Sequence, residues 1–314
     1  MLTRKCYPCG CKYCNVLKTD FNNFWNKIFN DKQYLDFILK KLVKFLNKNN
    51  YKSIRFFWWE VFLEKEILVY IIWKLREFWF NWDFIVNTNL HLFEENDLLW
   101  IKNYNVKIIT SLNWFEALHC KTRWVSKKDY LKLLDSIYFL IKNNVYLQIN
   151  VVLFPYEKDY IEKIKYILKF KANKINLLPL MYSNLFNEYN MWEFLSKIEK
   201  LFIWIKENNL QKRFLNFDLV KENISSSFPL VTDELVLDSD GKIYISMIVL
   251  ENFAYQYKDL LFFADLEDLK SLEIDIWYIT IILWKLYSLL KKQAIFSNSV
   301  LLSNKFSALL NKYS

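Results

Sequence analysis

The sequence predicts an α/β protein: a barrel-like (β/α)6 arrangement over residues 1–213, followed by an α+β carboxy-terminal extension over residues 214–314. Two observations lead there. Short apolar runs alternate with segments of helical period through the first two thirds of the chain, the rhythm of βαβ units and a parallel sheet. Near Phe214 that rhythm stops, and Asp238-Ser-Asp-Gly241 forms a turn signal between two β-like stretches, which marks a hairpin.

Taken in order, Leu2–Lys5 is a short first strand. Asp31–Lys48 places Leu35, Ile38, Leu39, Leu42 and Leu46 at helical spacing with lysines opposite, an amphipathic helix of about four turns. Ser53–Phe57 reads as a strand running into Trp58-Trp59-Glu60, with a helix over Glu64–Phe78. The unit repeats as strand Asp83–Asn87 and helix Phe93–Lys102, then strand Val106–Ser111 and helix Lys127–Asn143. It continues as strand Val145–Phe154 and helix Asp159–Lys169, then strand Lys174–Leu178 and helix Trp192–Glu207. Six strands close most naturally as a partial barrel, whose ligands sit at the carboxyl ends of the strands. Cys6, Trp58, Asn87, Ser111 and Asn150 fall at or near those ends. In the extension, Ser225–Leu237 and Lys242–Ile248 form the hairpin arms, and helices follow over Leu266–Leu290 and Val300–Lys312.

The net charge is +9, yet the lysines are spread along helical faces without an arginine-rich block, so solvated faces are expected. A nucleic-acid partner stays open on charge alone, unsupported by a motif. Four of five cysteines are clustered and the start of the chain lacks an apolar h-region, which predicts a cytoplasmic protein with reduced thiols. The longest apolar runs, such as Ile276–Trp284, end at a lysine, far short of the ~20 residues a membrane helix requires. No membrane association is expected.

Two counts are abnormal together. Only Gly10 and Gly241 are glycine, and 13 residues are tryptophan, whereas average usage of about 7% gives roughly 22 glycines. The richness in Lys, Asn, Ile, Phe and Tyr suggests an A/T-rich gene, in which UGG codons are scarce. Some bacterial lineages read UGA as glycine, and the expectation is that many of these tryptophans are glycines in the protein.

The run Cys6-Tyr-Pro-Cys9-Gly-Cys11-Lys-Tyr-Cys14 packs four thiols into nine residues. Spacing alone leaves an iron–sulfur cluster and a structural zinc site about equal, since zinc prefers separated pairs or histidine, and His91 and His119 are the only histidines.

Leu2-Thr3-x-x-Cys6 followed by Cys11-Lys-Tyr-Cys14 is similar to the first strand and cysteine loop of the radical S-adenosylmethionine enzymes. Residues 56 to 60, Phe-Phe-Trp-Trp-Glu, resemble a Phe-Gly-Gly-Glu motif if Trp58 and Trp59 are glycines. Thr88-Asn89 resembles Thr-Asn-Gly, and Ser111-Leu-Asn113-Trp114 … His119 … Arg123-Trp124 resembles a segment of the anaerobic sulfatase-maturase and peptide-maturase branch. Trp58, Trp59, Trp114 and Trp124 all stand where those motifs carry glycine.

The resemblance, which covers about residues 1–180, implies a TIM-like partial barrel and a 4Fe–4S cluster held by Cys6, Cys11 and Cys14, with Cys9 as the alternative ligand. It implies S-adenosylmethionine cleaved reductively to a hydrogen-abstracting radical, electrons from a cellular donor, and a peptide or protein substrate. Positions 58 and 59 would admit the cofactor through bare backbone beside Glu60. Ser111, Arg123 and Asn150 would contact its ribose or carboxylate. The first cysteine gap departs from the family pattern, enclosing four residues instead of three. The extension resembles one that carries auxiliary clusters, but no cysteine follows Cys120, so a packing or substrate-binding role is expected. Cys120 itself, on a predicted loop, reads as an ordinary thiol. The alternatives are modification of a nucleic acid or metabolite, and a zinc-stabilised binding protein or inactive relative.

Overall fold

The computed structural model describes residues 6, 7, 10, 11, 14, 25, 28–57, 60–180, 190–221, 235–238, 240–246, 255–268, 276–291 and 293–313. Five strands form one sheet in the order β1 (Ser53–Phe56), β2 (Asp83–Asn87), β3 (Val106–Ser111), β4 (Leu147–Leu153) and β5 (Lys174–Pro179). β1 pairs with β2, β2 with β3 and β4 with β5, all in parallel. The protein is therefore α/β, as its alternating pattern predicts. The first strand expected at Leu2–Lys5 lies outside the described residues.

The middle of the sheet is the more buried part, as expected where helices cover both faces of a parallel sheet, whereas β1 leaves Ser53 and Arg55 exposed. In β4, every residue except Asn150 is buried. The helices form where an apolar stripe meets a cap. The helix Lys32–Lys48 starts at Asp31, whose carboxylate accepts the Tyr34 N–H at 2.9 Å, and it buries Leu35, Ile38, Leu39 and Leu46. Lys127–Lys142 opens on a capping box of Ser126 and Asp129, which satisfies two otherwise orphaned donors.

The chain divides into two compact units. The first holds Met1–Pro8, Val16–Ile109 and Leu230–Tyr287. Its second sheet is antiparallel, joining β6 (Val236–Leu237), β7 (Lys242–Tyr244) and β8 (Phe262–Asp265). The hairpin turn is the expected one, with the Asp238 N–H donating to Lys242 O at 2.9 Å and Gly241 at φ +81°.

The second unit holds Cys9–Asn15, Thr110–Pro229 and Ser288–Ser314. The outer edge of β5 is covered by a side chain: Asn216 Oδ1 accepts the Leu177 N–H at 2.8 Å and Nδ2 donates to Leu177 O at 3.0 Å. An amide thus imitates a neighbouring strand and blunts the edge. The helix Ala294–Tyr313 packs on Met191–Glu207 through Phe306 and Phe202, and Lys312 and Tyr313 both bond Glu199.

Several expectations need correction, among them the helix expected from Leu266, where Leu266–Asp268 is a 3-10 turn and the α-helix spans Ile276–Leu290. Cys120 lies on a helix, Glu116–Arg123, instead of a loop. The helix expected from Phe93 begins at Asp97, and the last begins at Ala294 instead of Val300. Asn150 sits in the middle of β4, because the ladder continues through Val151, Val152 and Leu153 against Leu177, Leu178 and Pro179.

Candidate functional site

In the first unit the site is built on one carboxylate. Glu60 follows β1 and caps the 3-10 turn Val61–Glu64, its Oε1 accepting the Phe62 N–H at 3.0 Å. The side chain is fully buried, at 0% exposure. Oε1 also accepts from Thr88 Oγ1 at 2.7 Å, and Oε2 from the Asn89 N–H at 2.8 Å. Burial pushes the pKa of Glu60 up to about 7, against the opposing pull of these three bonds and of the Lys65 charge.

Thr88 and Asn89 turn away from the carboxyl end of β2. Asn89 Oδ1 accepts the His91 N–H at 3.0 Å, and Asn89 Nδ2 donates to the carbonyl of Tyr7 at 2.8 Å. One carboxylate therefore sets a turn, and the amide of that turn grips the chain beside Cys6. Asn87 Oδ1, on the last residue of β2, is buried without a hydrogen-bond partner among the described residues. Trp58, Trp59 and Cys9 lie outside the described residues.

In the second unit the Cys14 N–H donates to Cys11 O at 3.2 Å, folding the two thiols into one turn. The helix Glu116–Arg123 ends against this loop: the Gly10 N–H donates to Arg123 O at 3.2 Å, and Arg123 Nη1 reaches Cys11 Sγ at 3.9 Å. The Arg123 guanidinium, expected to pair with a cofactor carboxylate, lies beside the Cys11 thiol. Ser111 ends β3, partly exposed. Asn150 Oδ1 accepts from Gln148 Nε2 at 2.9 Å and Asn176 Nδ2 at 3.2 Å, making a polar row across β4 and β5. Cys120 Sγ faces Ser126 O at 3.6 Å, and burial raises its pKa. His119 Nδ1 accepts the Asn113 N–H at 3.2 Å, ordering the turn after β3.

Thiolates are the donors that iron–sulfur clusters take, and the Cys11–Cys14 turn and the nearby guanidinium suit that chemistry. Among the described residues, no three His, Cys, Asp or Glu side chains converge on one metal position. The donor type fits the group, and a preformed cage is not part of that fit.

No protein-family model matches the chain, and no curated protein matches it in sequence. Solved structures do match, and these neighbours are radical S-adenosylmethionine enzymes whose fold the chain shares. One is anSMEcpe, an anaerobic sulfatase-maturing enzyme, with bound AdoMet: TM-score 0.68 at 15% identity, covering 96% of this chain and 81% of that one. The same enzyme with AdoMet and a peptide gives a TM-score of 0.67 at 15% identity, over 96% of this chain and 82% of that one. SuiB of Streptococcus suis bound to its precursor peptide SuiA gives 0.56 at 15% identity, over 87% of this chain and 66% of that one.

Proposed function

We propose that the chain is a radical S-adenosylmethionine enzyme acting on a peptide or protein, with a partial (β/α)6 barrel over residues 1–213 and an extension over residues 214–314. It holds one 4Fe–4S cluster through Cys6, Cys11 and Cys14, with Cys9 as the alternative ligand. The observation that carries this reading is the fold match over 96% of the chain to an enzyme with bound AdoMet, in a chain whose start presents clustered thiols. When bound, cluster and S-adenosylmethionine together supply a hydrogen-abstracting carbon radical, with electrons from a cellular donor.

The chain's own residues bind and orient. Glu60 braces the Thr88–Asn89 turn, Asn89 holds Tyr7 beside Cys6, and Arg123 balances negative charge at Cys11. Ser111 and Asn150 offer polar groups to the cofactor, and positions 58 and 59 lie alongside Glu60 in sequence. The peptide substrate is supported by the peptides in two neighbours. A cytoplasmic location agrees with reactive thiols, and among the described residues no helix is long and apolar enough to cross a membrane.

Anaerobic reconstitution with iron and sulfide, then reduction and addition of S-adenosylmethionine, tests the reading. A brown chromophore and release of 5′-deoxyadenosine are expected, with the chromophore lost in Cys6→Ala, Cys11→Ala and Cys14→Ala and kept in Cys120→Ala. Loss in Cys9→Ala with retention in Cys6→Ala would exchange those two ligands. Stoichiometric zinc in the isolated protein, without a chromophore after reconstitution, would replace the enzyme by a zinc-stabilised binding protein.

A further inference from the structure

We infer that positions 79, 114 and 124, written as tryptophan, are glycine in the protein. Backbone conformation, the scarcity of glycine and the setting of each ring carry the inference, apart from the proposed chemistry. Among the described residues, nine that are not glycine have positive φ, and Trp79 (+71°), Trp114 (+81°) and Trp124 (+54°) are three of them. A bulky residue in that region is an outlier, because its Cβ crowds the backbone.

The chain supplies its own comparison at helix ends. Asn50, Asn144 and Asn209, at φ +57°, +56° and +54°, each stand two residues past a helix. Each helix closes with the same bond pair, as in Asn144 N–H to Ile141 O and Val145 N–H to Leu140 O, both 3.0 Å. Trp79 occupies the identical place after the helix Lys65–Glu77, with its N–H on Arg76 O at 3.1 Å and the Phe80 N–H on Leu75 O at 2.9 Å. This is the motif whose left-handed residue is usually glycine, sometimes asparagine. Trp79 is 77% exposed, so its ring gains little from packing there.

Trp124 ends the helix Glu116–Arg123 in the same left-handed region, at φ +54° and ψ +46°, and is 66% exposed. Trp114 leaves its indole N–H buried without a partner among the described residues. Leu90 and Lys171 also have positive φ, so φ alone does not decide. What decides is its conjunction with two glycines in 314 residues, with the large exposure of the rings at 79 and 124 and with the buried indole N–H at 114. Trp100 shows the contrast: it lies within a helix, is buried, packs on Phe62 and donates to Asp97 Oδ1 at 3.2 Å. It is a true tryptophan.

One codon read as glycine accounts for the three positions, and the assignment requires a different codon, read as tryptophan, at position 100. The assignment also changes the cysteine loop, because the Trp124 ring lies over Gly10, 3.4 Å from where a Cβ would stand. Glycine at 124 leaves that backbone uncovered.

Peptide mass mapping of the protein purified from the cells that encode it reads the residues directly. Glycine at 79, 114 and 124 with tryptophan at 100 is expected, and tryptophan at any of the three, or glycine at 100, overturns the assignment. In recombinant chain carrying the written sequence, Trp79→Gly raises the thermal midpoint and Trp100→Gly lowers it. A lowered midpoint for Trp79→Gly overturns the backbone argument.

Discussion

Glu60 shows how one side chain carries both structure and pH response. Its usual pKa of 4.5 is raised by burial to about 7, so between those values the folded protein binds more protons than the unfolded chain. Stability then falls as pH rises through that interval, by about 3 kcal/mol at most. Glu60→Gln keeps an acceptor for Phe62 and Thr88 but sets an amide against the Asn89 N–H. Denaturant titrations at pH 5 and pH 7.5 are expected to show the variant weaker at pH 5 with a reduced pH slope; equal slopes would remove Glu60 as its source. Glu60→Ala strands the buried donors of Phe62 and Thr88 and is expected to cost about 2–4 kcal/mol.

The turn after β4 rests on a fully buried ion pair. Lys163, from the helix Tyr160–Leu168, donates to Val152 O at 2.6 Å and to Glu157 at 2.7 and 2.9 Å, while Glu157 accepts the Phe154 N–H at 3.2 Å. Burial lowers the lysine pKa and raises that of the glutamate, each opposed by its partner. Lys163→Met leaves a buried carboxylate unpaired and should cost about 3–5 kcal/mol, whereas Lys163→Met with Glu157→Leu should recover most of it; urea denaturation separates the two. In the first unit, Asn89→Ala frees the Tyr7 carbonyl, and faster alkylation of Cys6 than in the parent protein is the expected sign. The strands from β1 to β5 were legible because apolar runs punctuated by Asn and Lys leave little choice of period. The helix Glu116–Arg123 was not, since eight mixed residues carry no apolar stripe and its place is set by bonds to Gly10 and Cys11. The bonds of Glu60 to Thr88 and of Asn89 to Tyr7 span 28 and 82 residues, and no local pattern encodes them; only the resemblance brought Glu60 and Thr88-Asn89 into view.

Across the molecule, the carboxy-terminal third completes both compact units, and this decides how the chain responds to shortening. In the first unit Leu235, Leu237 and Ile243 line the same apolar pocket as Phe45, Leu46 and Phe56, and Glu267 ties the helix Lys32–Lys48 through Tyr34 at 2.5 Å and Lys41 at 2.8 Å. In the second unit the helix Ala294–Tyr313 covers Phe202, and Asn216 shields the edge of β5. A chain ending at residue 213 keeps all the candidate site residues, yet it uncovers apolar surface in each unit and frees a strand edge, which invites association. It is expected to bind a hydrophobic dye, to be cut by protease within β5 or Lys32–Lys48, and to precipitate where the full chain stays dispersed. A monomeric, protease-resistant fragment with the secondary structure of the full chain would instead make the extension an independent module.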